Sequence, residues 1–449
     1  MNIRKRNFAL FILLNFIIAS AHGQEIPVSE EEKEDTSIHN YPVAAEISGG
    51  NLDEKKNAYL KKKGLDLGFD ADGTYLGWST ADIATSPSSI DFAQKRITAF
   101  ERAFTDAKAA YVRTKMQQST TTITRKFFSD DRPAEMLEDD SKTDGGLKRI
   151  AKKLQAVTEA KLDQILQEMG RDPSEISDLN IKQKRKLAED SINKETLTRA
   201  VQSLSGVIIL QTFEDTNSVG VLIKHKSRYS DLAKAIASRT LVGYTSPTDP
   251  VQTIAAQLDS KFSELEHYIP MHGVRFVVDE SGNRGLISYG QWAPKVTRAD
   301  SKMKQNMAIK AAREIAYNQS LSYMVQFLNT TIAVQDVTKI NDNNQINSTI
   351  QNGFSTEQEI SAVGASIDQF IKESSSATIE GATTVKRWSA NHPDTGHLIV
   401  GNVLYWSPIT QEAVRQKPKT EAITNTKGSV ARPIENKVYQ GIEFGDEDF

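Results

Sequence analysis

The sequence predicts an α+β protein made of two related modules, each a small, mainly antiparallel sheet covered by long helices, with a helical-hairpin insertion in the first. Three observations predict this class. Long stretches of helical periodicity alternate with short strand pairs. The order of these elements in the first half recurs in the second half. Helices that cover one face of an antiparallel sheet are typical of α+β domains.

The chain begins with the three parts of an export signal. Arg4, Lys5 and Arg6 precede an apolar run from Phe8 to Ala19, and small residues follow at Ala21 and Gly23. Because the apolar run is well short of the roughly 20 residues that span a bilayer, we predict a cleaved signal peptide in residues 1–23.

Residues 24–60 are acidic and lack periodicity, which predicts a flexible leader. Without the three basic residues of the signal, 52 Lys and Arg face 58 Asp and Glu, so the mature charge is 52 − 58 = −6. This balance gives no reason to expect a nucleic-acid partner. The chain has no cysteine, which excludes disulfides, thiolate metal ligands and a lipidated cysteine. No later stretch predicts a transmembrane helix.

The first module is predicted to span residues 61–243. Asp72 and Gly73 form a turn before an aromatic strand that ends at Trp78. The further elements, in order, are a helix over Ser89–Gln118, the helical insertion up to Leu204, strands Val207–Leu210 and Val219–Ile223, and a helix over Asp231–Ser238.

The second module is predicted to span residues 244–416. Its elements are a helix ending near His267, a hairpin of Val274–Val278 and Gly285–Trp292, a long helix over Asp300–Leu328, a helix over Glu357–Ile371, and a hairpin of Ile379–Trp388 and His397–Trp406. Residues 417–449 have no core-forming period and predict a disordered acidic tail.

The two modules are predicted to be copies of one unit. Phe69–Trp78 followed by Phe92–Met116 resembles Gly285–Trp292 followed by Met303–Phe327. The later segment Gly206–Ile223 resembles Gly381–Trp406. Each half then reads as strand, long helix, further helix, strand, strand.

The alanine-rich helix Met307–Ala316, the segment Gly381–Trp388 and the strand Leu398–Tyr405 together resemble the small α/β module of certain bacterial envelope lipoproteins and flagellar outer-membrane accessory proteins. The chain departs from that family because it lacks the lipidated cysteine. The resemblance implies an assembly or scaffolding role in the cell envelope and supplies no catalytic residues.

Motifs for catalysis are absent from the sequence. There is no GxSxG elbow, no HExxH helix and no phosphate loop, so Ser79 and Ser366 are only weak candidates for a nucleophile. His392, Asp394 and His397 could form a weak metal site, although a solvated turn is the preferred interpretation.

A calcium loop at Asp66, Asp70 and Asp72 fails because Gly68 would occupy its first ligand position. No cofactor and no metal are predicted.

Aromatic side chains at strand ends give one candidate site. Trp78, Trp292 and Trp388 are interpreted first as core or sheet-edge residues, and alternatively as the rim of a ligand groove between the modules. The preferred hypothesis is an exported, non-enzymatic assembly, scaffold or accessory protein of the bacterial envelope or an extracellular structure, with a protein partner there. The alternative is a periplasmic or secreted binding module for a small ligand or peptide, and a hydrolase without a recognisable motif ranks third. Oligomeric state and enzymatic activity are left open.

Overall fold

A computed structural model describes residues 51–128, 146–238, 252–297, 299–333, 362, 364–367, 369 and 379–416. The predicted signal peptide, the module boundary at residue 243 and the predicted tail 417–449 lie outside these residues. So does most of the predicted helix over Glu357–Ile371. Within the described part of the chain, no helix combines the length and the apolar character needed to span a membrane.

The strands form two four-stranded antiparallel sheets. The first sheet has the order β1-β2-β4-β3 and the second has the order β5-β6-β8-β7. The strands are β1 (Gly68–Phe69), β2 (Tyr75–Asp82), β3 (Ile208–Glu214), β4 (Ser218–His225), β5 (Gly273–Val278), β6 (Arg284–Trp292), β7 (Thr383–Asn391) and β8 (Leu398–Trp406).

Helices connect and cover these sheets. They are α1 (Leu52–Lys63), α2 (Phe92–Phe128), α3 (Gly146–Ala156), α4 (Glu159–Glu168), α5 (Pro173–Ser177), α6 (Ile181–Gln202), α7 (Ser227–Ala237), α8 (Ile254–Lys261), α9 (Lys302–Ala333) and α10 (Pro408–Gln416), with a 3₁₀ helix at Leu265–Tyr268. The predicted α+β class with two modules is confirmed.

Both modules have the same connectivity: hairpin, long helix, hairpin, helix. The bulged residues Leu210 in β3 and Val385 in β7 are 385 − 210 = 175 residues apart, as are the preceding glycines Gly206 and Gly381. Both glycines have positive φ and approach the backbone of the first turn of the helix that follows β4 or β8. The segment pairs proposed as copies from sequence therefore occupy equivalent places in the two modules.

Each sheet has one face toward its long helix and one face away from it. α2 packs on β2 and β4, and α9 packs on β6 and β8. Gly290 of β6 lets α9 approach closely, since a Cβ there would lie 2.3 Å from the Ala316 carbonyl oxygen. The opposite face of the first sheet is covered by α1, and that of the second by the segment containing α8.

α1 corrects the predicted extent of the flexible leader, which was drawn to residue 60. Asn51 accepts a hydrogen bond from the Asp53 amide, and Gly64 ends the helix in the left-handed conformation. Leu52, Leu60 and the half-buried Tyr59 give the helix its apolar contact with the sheet, so its sequence shows no clear apolar stripe. That is why periodicity missed it.

The helical insertion is α3 to α6 and has its own small core. Ile123 and Phe127 at the end of α2 pack against side chains of the insertion, including Ile150, Leu162 and Ile192. The insertion therefore extends the first module by lengthening α2 rather than by adding to the sheet.

Candidate functional site

A groove runs between the two long helices at the junction of the modules. Its floor is the seam where edge strand β3 of the first sheet meets edge strand β5 of the second. Val207, Ile209, Gly273 and Val274 line this floor. Gly273 is needed for the close approach, because a Cβ there would lie 2.3 Å from Ile209 Cδ1.

The walls of the groove come from both modules. Phe104 and Lys108 of α2 face Tyr323 and Gln326 of α9. The wider part of the groove, toward the start of α2, has a volume of about 650 Å³. That size is in the range of pockets that hold a small ligand or a short peptide. The apolar floor lies outside this wider part, which is lined mainly by polar and charged side chains such as Glu101, Arg102 and Gln326, with Ala365 and Gln369 on a further side.

Glu101 connects the two helices beside the groove. Its Oε1 accepts hydrogen bonds from Gln319 Nε2 at 3.1 Å and from Tyr323 Oη at 3.3 Å. Burial, then the charge of Glu101, raises the pKa of Tyr323 well above its ordinary value. Tyr323 is therefore a neutral hydrogen-bond donor at neutral pH, and not a proton acceptor.

A buried ionic network lies at the same junction. Arg96 of α2 donates from Nε to Glu214 Oε2 at 2.5 Å, from Nη1 to Gln291 Oε1 at 3.0 Å, and from Nη2 to the Ile269 carbonyl. Arg96 and Glu214 belong to the first module and Gln291 to the second, so the network bridges the modules.

The charge on Glu214 is maintained by its partners. Burial by itself would raise the pKa of Glu214, but the Arg96 guanidinium and the nearby His392 outweigh it and hold the pKa below its ordinary value. His392 Nε2 lies 3.6 Å from Glu214 Oε1. Both side chains are buried, so the network joins the two modules from inside the protein.

His272 completes the network on the side of the second module. Gln291 Nε2 lies 3.1 Å from His272 Nε2 and 2.7 Å from the Ile269 carbonyl oxygen. Burial, with the charges of Arg96 and Arg275, holds the pKa of His272 well below its ordinary value. The neutral imidazole then accepts at Nε2 and stacks on Phe100 of α2, with ring centroids 3.9 Å apart.

Sequence reasoning missed Arg96, Glu214 and Gln291. The signal for Arg96 was present, because an arginine at that position lies on the apolar face of α2 with Phe92 and Phe100. A charged residue on a helix face that is otherwise buried indicates a buried partner. The sequence gives no signal that the partner is Glu214.

The structure does not bring Trp78, Trp292 and Trp388 together around the groove. Trp78 and Trp388 lie on the sheet faces opposite the long helices, each over a glycine of a central strand, Gly220 and Gly401 respectively. Trp292 is half-buried at the end of β6. Ligand binding by these tryptophans stays a prediction.

The other residues considered from sequence have local roles in the structure. Asp70 and Asp72 accept the Thr74 amide and close the β1–β2 turn. Ser366 donates to the Ala362 carbonyl within its own helical segment. Across the described ranges, no three His, Asp or Glu side chains are grouped as metal ligands would be.

The two histidines of the turn between β7 and β8 contact different polar side chains. His392 faces Glu214, whereas His397 Nδ1 lies 2.9 Å from Thr395 Oγ1. Both rings contact Phe92 of the first module, with centroids 5.8 Å apart in each case. The turn predicted as solvated is therefore partly packed against α2.

Comparison with known proteins adds two similarities. Residues 147–238 match a family described as a domain of unknown function, DUF6844; this range covers the insertion, β3, β4 and α7. A crystal structure of a hypothetical protein from Francisella tularensis is similar over 84% of this chain and 96% of that chain, with 20% sequence identity and a TM-score of 0.50. No curated protein matches this chain.

These similarities bear on the fold and not on the activity. At 20% identity, the Francisella tularensis structure shows that another chain adopts this fold. Neither similarity concerns an envelope lipoprotein or a flagellar accessory protein.

Proposed function

We propose that this protein is an exported, non-enzymatic scaffold or accessory protein of the bacterial cell envelope. The observation that carries the proposal is the junction between the modules. One apolar core contains residues of both modules, and the Arg96–Glu214–Gln291 network crosses the boundary inside it. Two modules joined in this way hold their outer surfaces at a fixed distance and angle, which a scaffold requires.

The export signal, the sequence resemblance to envelope modules and the absence of a catalytic motif support the same proposal. The test is a pull-down of the mature protein, tagged directly after Gly23, from fractionated native cells. Envelope or appendage proteins should be recovered in a fixed ratio. Recovery of the protein alone, from the fraction in which it is abundant, would contradict the proposal.

The second candidate is a binding module for a short peptide or small ligand. The wider part of the inter-helix groove, about 650 Å³, favours it, because residues of both modules line it and most of them offer polar or charged groups to a ligand. Gln326→Phe would fill the groove from α9. Asn318→Phe on the exposed side of the same helix is the matched control.

Thermal unfolding in the presence of peptide and glycan mixtures distinguishes these variants. A ligand at about 100 times its Kd should stabilise the native protein by about 2.7 kcal/mol. We expect the increase in Tm to disappear in Gln326→Phe and to persist in Asn318→Phe. Equal stabilisation of both variants would place the ligand outside the groove.

A further inference from the structure

The first part of α9 is exposed. None of residues 302–311 is buried, and the first buried residue of the helix is Ala312. The start of α2, the equivalent helix of the first module, is different: Phe92, Ala93, Arg96 and Phe100 are all buried, and Ala93 belongs to the core of the second module. The start of the long helix is therefore buried in the first module, as α2, and exposed in the second, as α9.

The exposed face of this helix end is apolar and basic. Met303 is 74% exposed and Met307, one turn later, is 66% exposed; these are the highest values among the large apolar residues of the described chain. Lys302, Lys310 and Arg313 are exposed beside them. We call residues 302–317 the Met–Lys surface.

The net charge of the Met–Lys surface is positive. Lys304 is paired with Asp300 at 2.5 Å, which leaves three basic residues against Glu314, a balance of 3 − 1 = +2. Methionine side chains adapt their shape to different apolar partners. A partner for this surface should therefore be acidic and carry flexible or aromatic apolar side chains.

We propose that residues 438–449 of this same chain dock on the Met–Lys surface. This segment contains Glu443, Asp446, Glu447 and Asp448 and no basic residue, so its side chains carry −4. Tyr439, Ile442, Phe444 and Phe449 are interspersed among the acids. The carboxylates complement Lys302, Lys310 and Arg313, and the aromatic rings cover Met303 and Met307.

The chain is long enough for this contact. α10 ends at Gln416, and Ile442 stands 442 − 416 = 26 positions later. Fully extended, 26 residues span up to about 85 Å. The 32 residues of α9 form a helix about 48 Å long, so the segment can reach its exposed end from any side of the second module.

Methionine oxidation measures the contact directly, because the exposed methionines lie in the proposed site. The full mature chain is treated briefly with hydrogen peroxide, and sulfoxide at each methionine is quantified by peptide mass spectrometry. Met271 and Met324 are 1% and 0% exposed and serve as internal controls for unfolding.

Two full-length variants are compared with the native chain. The first neutralises the segment with Glu443→Gln, Asp446→Asn, Glu447→Gln and Asp448→Asn. The second makes the same number of neutral substitutions in the other acidic stretch, Glu30→Gln, Glu31→Gln, Glu32→Gln and Glu34→Gln, and is the matched control.

We expect Met303 and Met307 to oxidise about threefold faster in the first variant. In the native chain the tether holds residues 438–449 near the Met–Lys surface at a millimolar effective concentration, which keeps the segment bound. Without its carboxylates the segment binds too weakly for that concentration to keep it bound. The native chain should lose its protection at high salt, where surface charges are screened. Equal rates in the native chain and the first variant would overturn the proposal. An equal rise in methionine oxidation in the leader variant would also overturn it. So would protection of Met303 and Met307 that grows with protein concentration. Protection of these methionines that requires anionic phospholipid vesicles would overturn it as well.

Discussion

Replacing Arg96 by methionine should destabilise the whole protein, because the buried Glu214 carboxylate loses its guanidinium partner and is left with His392, at 3.6 Å, beside it. Methionine keeps the length of the apolar stem and removes the guanidinium. Breaking a buried ion pair by removing one partner costs about 3–5 kcal/mol. The Gln291 and Ile269 oxygens also lose a donor, which places the expected loss toward the upper part of that range.

The burial of the pair determines this magnitude. Arg96 and Glu214 side chains are each 1% exposed, whereas the Lys186 side chain, which pairs with Asp190 on α6, is 62% exposed. Exposed pairs contribute about 0–1 kcal/mol. Lys186→Met is therefore the matched control, and we expect its effect on the free energy of unfolding to be several times smaller.

Urea unfolding followed by tryptophan fluorescence measures both variants. Trp78 reports on the first module and Trp388 on the second. The double variant Arg96→Met with Glu214→Leu should recover most of the loss, since apolar side chains can replace a buried pair. If Arg96→Met costs no more than Lys186→Met, the network does not hold the modules together and the reasoning fails.

The same pair predicts the response to acid. The pKa of Glu214 is lower in the folded protein than in the unfolded chain, where it is about 4.3. The stabilisation is therefore complete above that pH and is lost as the pH falls through the folded pKa. Below pH 5 the native protein should lose stability more steeply than the Arg96→Met, Glu214→Leu double variant, as urea midpoints at successive pH values would show.

Three other predictions concern single sites. Gly206→Ala should destabilise the protein by more than about 2 kcal/mol, because positive φ costs about 1–2 kcal/mol and the new Cβ would also lie 2.4 Å from the backbone of Tyr229. Gly396 has positive φ and open space around it, so Gly396→Ala is the control and should show the cost of positive φ alone. Thermal unfolding measures both variants. His225 is buried, and burial and then the charge of Lys115 lower its pKa to about 4. As the pH falls, this histidine is therefore protonated in the unfolded chain before it is protonated in the folded protein, and the native protein should lose stability between about pH 6.5 and pH 4. His225→Gln should flatten that part of a plot of unfolding free energy against pH. Asn180→Ala removes the capping box of α6 and should cost about 1 kcal/mol; hydrogen exchange confined to the first turns of α6 would confirm it, and unchanged exchange there would contradict it.

Alternation and turn chemistry predicted the hairpins well, because these strands have one face on a core and their turns contain glycine or, between β3 and β4, Asp215 and Asn217. Asp72-Gly73 and Ser281-Gly282 both stand at turns where glycine adopts positive φ. The repeat was also visible, since equivalent strands and helices keep their order. Pairing within each hairpin is local in sequence, so pattern alone identifies it. The central pairs are not local: Tyr75 of β2 pairs with His225 of β4, and Leu286 of β6 pairs with Trp406 of β8.

Helix lengths were harder, and α2 shows why. The prediction ended this helix at Gln118. Thr120, Thr121 and Thr122 lie just beyond that residue, and threonine has a low helix propensity. In the structure the helix continues to Phe128. Each of the three hydroxyls donates to the carbonyl four residues earlier, and Phe127 gains a buried place in the core of the insertion. Tertiary packing outweighed the local preference.

The groove and the ionic network could not be located from sequence because they arise where the modules meet. The prediction placed a groove between the modules but chose tryptophans for its rim. Arg96 and Gln291 are 291 − 96 = 195 residues apart, and nothing in a single sequence relates them. A tryptophan at a strand end indicates that one face of the sheet is covered. The sequence does not show whether that face is the one under the long helix or the opposite one.

The order of the strands has a consequence for how the protein avoids fibre formation. Sheet edges are templates for uncontrolled pairing with other chains. The two sheets described here have four edges, and two of them, β3 and β5, lie against each other. A third, β1, is two residues long. The remaining edge, β7, carries a bulge at Val385 followed by Lys386 and Arg387, and the ammonium of Lys386 is held by Asp259 at 2.6 Å. The strands of the described ranges thus offer little β-edge through which molecules at high concentration could polymerise.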